Sequence, residues 1–243
     1  MSDTSPPRRG RGRPPKTARA PEGTRGMLVR AGVELLTEKG FSSTRVDDVL
    51  NATGISKGSF YACFDSKQAF GRILIESYAS HFNARIDRCL GDGTLPPLRR
   101  LLNFVHDARD GMQRHAFRRG CLIGNLGHEV DILPESFNVL LCAILNGWER
   151  RVTDCLLEVY GTTPDHGQKQ LCAQLARYFW IGWEGAVLRA RVEHGPAALD
   201  LFATFFFAQA ATLLGVASPD PGGTIPPVSP EPPARVKTDP AAG

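Results

Sequence analysis

The chain has 243 residues, 42% of them hydrophobic, with a formal net charge of +4. That composition excludes a wholly disordered chain and supports one large domain or a small head on a larger body. The net charge says little, but eight basic residues crowd between Arg8 and Arg30 against the single acid Glu22, which points to a polyanionic partner.

No charged leader followed by an apolar stretch is legible, and the longest apolar run, "ATFFFAQAATLLGVA", reads as too short and too interrupted to span a bilayer. Six scattered cysteines without Cys-x-x-Cys or a Cys/His cluster read as reduced, packed thiols rather than a disulfide framework or zinc site. The expectation is a cytosolic protein with no membrane partner and no metal. Neither a phosphate-binding loop nor Gly-x-Gly-x-x-Gly or His-Glu-x-x-His is present, so no enzyme and no cofactor are expected.

In chain order, residues 1–22 are rich in Pro, Gly and Arg and predict a disordered basic arm. Leu28, Ala31, Gly32, Leu35 and Leu36 make the apolar stripe of a first helix, closed by Gly40. Thr44 is placed to cap a second helix, with Asp47 three residues on, and Val46, Val49 and Leu50 as its buried face. Gly54 allows a tight turn, and Ser56 caps a short third helix whose Ile55, Phe60 and Phe64 pack inward while Lys57, Ser59 and Tyr61 point out. Asp65 with Gln68 opens a fourth helix running toward Leu90. Helical segments follow over Leu98–His115, Cys121–Leu133, Glu135–Tyr160, His166–Glu193 and Ala197–Val216. The proline-rich end, 218–243, predicts a disordered tail. The fold class is all-α: a head over 23–70 and a helical ligand-binding and dimerisation body over 71–217.

Two short helices joined by a glycine-containing turn, the second exposing Ser, Lys and Tyr, form a helix-turn-helix. A recognition helix needs that division, because its amino end must approach base edges while small polar groups meet phosphates. Gly58 removes a side chain where the helix would lie closest to the groove.

The stretch "GVELLTEKGFSSTRVDDVLNATGISKGSFYACFDSKQAF" resembles the amino-terminal domain of tetracycline-repressor (TetR) type regulators. The resemblance implies that Thr44 and Arg45 meet DNA from the start of helix two. It also implies that Ser56, Lys57, Gly58 and Ser59 enter the major groove, Tyr61 bonds phosphate and Lys67 pins the backbone. Ala62 and Cys63 stand where the family often carries aromatic or His residues. The arm "RRGRGRPPK" resembles an AT-hook, whose Arg11 and Arg13 would lie in a narrow minor groove. Double-stranded operator DNA and a second copy of the chain are the implied partners, since two half-sites match a symmetric dimer.

In the body, "YFWIGWEGAVLRARVE" is apolar on more than one face, which predicts burial on more than one face. One face is assigned to a pocket and another to a partner subunit, with Gly182, Gly185 and Ala186 allowing close approach. In "RHAFRRGCLIGNLGHEV", Cys121 sits beside Arg118 and Arg119 at a helix start, a setting that favours thiolate. Asn125 and His128 follow on that helix. The two segments together resemble one branch of the TetR family and so imply a small unsaturated or electrophilic inducer, acrylate or a related carboxylate. Cys121, Asn125, His128, Trp180 and Trp183 are its candidate contacts. A redox or electrophile sensor acting through Cys121 is the alternative, and an architectural DNA protein is what the arm alone would make.

Overall fold

The computed structural model describes residues 23–222. The basic arm with Arg11 and Arg13, and the tail from 223 on, lie outside them. Among the described residues the regular elements are all helical.

The head is built from α1 (Gly23–Lys39), α2 (Val46–Thr53), α3 (Lys57–Tyr61) and the start of α4 (Lys67–Leu90). Leu28, Leu36, Val49, Phe60, Phe64 and Phe70 are all buried together. Phe60 is fully enclosed and by area alone contributes roughly 1.5–3 kcal/mol to holding α3 in place. Gly32 lets α1 approach α4: a Cβ there would lie 2.7 Å from the Leu74 and Phe70 side chains. Gly54 closes α2 at φ 67°, as the turn requires.

Two predicted caps shift by one residue. Arg45, not Thr44, is the N-cap of α2, and its N–H donates to the Asp48 carboxylate at 2.8 Å. Ser66, not Asp65, caps α4 by accepting from Ala69 N at 3.0 Å.

The body continues along α4 and adds α5 (Pro97–Arg114), α6 (Leu122–Gly127), α7 (Glu135–Leu157), α8 (His166–Glu193) and α9 (Ala197–Leu214). The helix expected over Cys121–Leu133 is broken: α6 stops at Gly127, and a single 3₁₀ turn follows at Val130–Ile132. Asp165 and Gln168 form a reciprocal capping box at the start of α8, with both bonds at 2.9 Å. An aromatic core joins α4, α7 and α8, with Trp148 4.5 Å from Phe82 and 5.1 Å from Trp180 between ring centroids.

The expectation that the run in α9 is too short for a bilayer does not hold on length, since its 18 residues are long and apolar enough to cross one. Leu199, Ala203, Phe206, Phe207, Ala210, Ala211 and Leu214 of α9 are nonetheless buried, in the same core as α8 and α5.

Candidate DNA-reading surface and inducer chamber

Ser56, Lys57, Gly58, Ser59 and Tyr61 are all exposed along α3. Ser56 caps the helix by accepting from Ser59 N at 3.2 Å, and the two hydroxyls lie 2.9 Å apart. Phe60 anchors the opposite side, so the polar edge is held outward by one buried ring. Arg45 is exposed at the adjoining start of α2, which extends the basic surface.

Two residues assigned to this surface face elsewhere. Thr44 is buried, and its hydroxyl donates to the Gly40 carbonyl at 2.6 Å, so it locks the α1–α2 turn instead of meeting phosphate. Lys67 donates to the Phe41 carbonyl at 3.1 Å and lies 4.5 Å from the centre of that ring. Burial lowers its pKa. Its ammonium group fastens α4 to the same turn.

The body grips the end of α1. Asn125 of α6 donates to Thr37 O at 3.1 Å and accepts from Arg191 of α8 at 3.0 Å. Arg191 also donates to Glu38 O. Arg119 pairs with Glu38 at 3.0 Å, and the Glu129 carboxylate accepts from Phe41 N at 3.0 Å and from Ser42 N and Oγ at 2.8 and 2.7 Å. Cationic and amide donors on terminal carbonyls satisfy groups that the helix itself leaves open.

Beside this latch lies a chamber of about 290 Å³. Its walls are Val33 and Thr37 of α1, Tyr78 and Phe82 of α4, Met112 of α5, and Trp183 and Val187 of α8. Arg85, Arg114 and Arg119 also line it, Arg85 in an ion pair with Asp107. A second chamber of about 280 Å³ adjoins it, lined by Gly124, Asn125, His128, Leu188 and Arg191. Gly120, Cys121, Glu184 and Val187 border both. Burial pushes the Cys121 thiol well up, and the neighbouring Glu184 pushes it further. Tyr78, in contact with Cys121, is likewise raised by burial. Glu184 is pushed up to about 7 by burial.

These features have counterparts in known proteins. Residues 28–70 match the family described as "Bacterial regulatory proteins, tetR family", and residues 97–206 match "Tetracyclin repressor-like, C-terminal domain". The transcriptional regulator AcuR of Cereibacter sphaeroides is 44% identical over 85% of this chain and 94% of its own. The chain belongs to the TetR family of transcriptional regulators. The repressor DhaR of Mycobacterium sp. is 34% identical, over 78% of this chain and 92% of its own. The repressor NemR of Escherichia coli K12 is 26% identical, over 73% and 88%. A solved regulatory protein TetR from Rhodobacter sphaeroides is 46% identical, covers 74% of this chain and 95% of its own, and superposes with a TM-score of 0.68.

Within this TetR fold the body residues named from sequence separate. Cys121 and Trp183 line the larger chamber, while Asn125 and His128 line only the smaller one. Asn125 is occupied by the latch, and His128 is exposed as the C-cap of α6. Trp180 borders neither chamber; it is buried in the aromatic core with its indole N–H unpartnered. The surroundings of Cys121 disfavour the expected thiolate: burial and the neighbouring Glu184 push its thiol up, while Arg119 pairs with Glu34 and Glu38 and Arg118 is exposed. Sequence reasoning missed Tyr78, which lies in no motif, and Glu184, which stands within the segment "YFWIGWEGAVLRARVE" but whose neighbours Cys121 and Tyr78 lie far away in the chain.

TetR-family regulators bind operator DNA as dimers. The faces of α8 assigned from sequence to a pocket and a partner are both internal: a Cβ on Gly182 would sit 2.4 Å from Phe202 of α9 in the same chain. The apolar face left open is a third one, Tyr178, Ile181, Leu188 and Val192 on α8 with Leu201, Phe205 and Leu213 on α9. Ile181, Val192 and Phe205 are 66%, 72% and 63% exposed, far more than core positions tolerate.

Proposed function

We propose that the protein is a cytoplasmic repressor that holds operator DNA as a homodimer and releases it when a small unsaturated carboxylate, acrylate or a close congener, fills the larger chamber. The observation that carries this reading is the position of α1: its inner face walls the chamber, and its end is held by the latch that also fixes the α2 turn. A ligand favouring a different setting of α1 shifts the dimer toward a spacing of the two α3 helices that no longer fits one turn of DNA. Only such differential affinity produces switching. The exposed face of α8 and α9 supplies a dimer seam of the kind two half-sites require.

The chemistry of the chamber supports the ligand class. Arg114 supplies positive charge, Arg85 and Arg119 being paired with nearby carboxylates, and Phe82, Trp183 and Val187 offer an apolar surface for a vinyl group. At about 290 Å³ there is room for a three-carbon acid with water or for a longer unsaturated chain.

The second reading, an electrophile or oxidation sensor at Cys121, is favoured by one observation: this thiol borders both chambers. Its raised pKa works against it, since the thiolate is the reacting form. Cys121→Ser separates the two. Acrylate in reducing buffer should still release DNA from the serine variant, whereas a covalent sensor would lose its response.

A further inference from the structure

Glu184 stands midway along α8, in the partition between the two chambers. Its Oε1 is buried and lacks a hydrogen-bond partner among the described residues. An oxygen left in that condition is unfavourable unless a ligand supplies its partner. Room for the group depends on Gly124, where a Cβ would lie 2.2 Å from Oε2. Its polar neighbours are Cys121 and, through that thiol, Tyr78. A terminal glutamate torsion is broad, so either oxygen can be turned to the larger chamber at small cost.

We propose that Glu184 is the residue that recognises the inducer: as a neutral acid it donates its O–H to one oxygen of the inducer's carboxylate. This deepens the reading above and rests on it. Two ionised carboxylates in contact repel, whereas an acid and a carboxylate form a short charge-assisted bond. On the chamber lining Arg85 is paired with Asp107 and Arg119 with Glu34 and Glu38, which leaves Arg114 to meet the ligand with positive charge once Glu184 is neutral. Arg191 faces the other chamber and is occupied by Asn125 and Glu38. Burial, which brings the Glu184 carboxyl to about 7, makes the acid available near neutral pH.

The coupling has a direction. Below about 7 the donor is in place; above it, each carboxylate bound must bring one proton with it. The apparent dissociation constant for acrylate should therefore rise about thirtyfold between pH 6.0 and 8.5, with proton uptake approaching one per site at the upper end. Acrylamide, which is neutral and can donate to an ionised Glu184, should show no such rise.

The test is calorimetric titration of the DNA-free dimer with acrylate and acrylamide across that range, in buffers of different ionisation heat. Glu184→Gln keeps a donor at every pH, so acrylate affinity should persist while its pH dependence falls below about threefold. Glu184→Ala should lose acrylate binding and still retard operator DNA, which shows that it is folded. His81 and His115 on the chamber wall, and His128 on the other side, are the remaining imidazoles that a proton-linked signal can come from. An unchanged pH slope in Glu184→Gln would assign the proton to them and overturn the proposal. So would acrylate binding that is flat with pH in the wild type. If acrylate binds at no pH, the inducer reading itself fails first.

Discussion

Two short helices, α3 and α6, share a local plan and have opposite fates. Each is about one and a half turns long, follows a small capping side chain, and contains a glycine near its start. Ser56 caps α3 by accepting from Ser59 N at 3.2 Å, and Cys121 caps α6 by accepting from Gly124 N at 3.5 Å. In α3 a single buried ring anchors the helix, and the polar edge faces outward. In α6, Leu122, Ile123 and Leu126 are buried, and the cap residue goes in with them. Local pattern therefore sets the helix, but tertiary burial decides whether its cap faces outward or borders an interior chamber.

The largest expected effect breaks the idea that a basic neighbour alone makes a thiol reactive. In native protein at pH 7.5, iodoacetamide should modify exposed Cys142 on the order of 100-fold faster than Cys121, with mass spectrometry following each peptide. Comparable rates would mean that Cys121 is open and ionised.

Next comes the stability of the wall behind α6. The Glu184 carboxyl is raised from 4.5 to about 7, so the fold favours its neutral form. That advantage is complete below the unfolded value and is lost as pH climbs through about 7. Glu184→Gln, which cannot ionise, should be more stable than wild type by about 3 kcal/mol at pH 8.5 and by little at pH 4. Urea unfolding at both pH values measures the difference.

On the α3 side, Lys57→Ala should weaken operator binding about tenfold to a hundredfold without moving the midpoint of thermal unfolding, because the residue is exposed. The smallest effect belongs to the cap. Ser56→Ala should cost about 1 kcal/mol of stability, read by the same unfolding assay, with a parallel loss of affinity as the start of α3 frays.

The contrast also shows what the sequence made legible. Phe60 and Phe64 inward with Lys57 and Tyr61 outward was readable because four residues on one short helix carry the pattern. The span of α8, His166 to Glu193, was readable from its Asp165 cap and its periodicity. At α4, Asp65 yields to Ser66, a neighbour of similar capping chemistry, whereas at α2 Thr44 yields to Arg45 because its hydroxyl is committed to the Gly40 carbonyl. The chamber was less accessible. Tyr78, Cys121 and Glu184 come from α4, α6 and α8, and no spacing rule joins residues 43 and 63 positions apart. Cys121 was noticed for its arginines, yet Arg119 binds Glu38 at 3.0 Å, a pairing invisible until α1 and the α5–α6 loop are brought together. Of the small residues of α8, Gly182 is a point of close approach, to Phe202 of the same chain, whereas a Cβ at Gly185 would meet nothing within 4 Å.

The most direct test of the central claim is a titration of the full-length protein, in reducing buffer, on its own upstream DNA and on a scrambled fragment of equal length, with and without acrylate. Tight retardation of the upstream fragment alone, relieved by acrylate and lost in Lys57→Ala, is the predicted result. Equal binding to both fragments, or retardation that acrylate leaves untouched, would contradict a ligand-released operator complex read by α3.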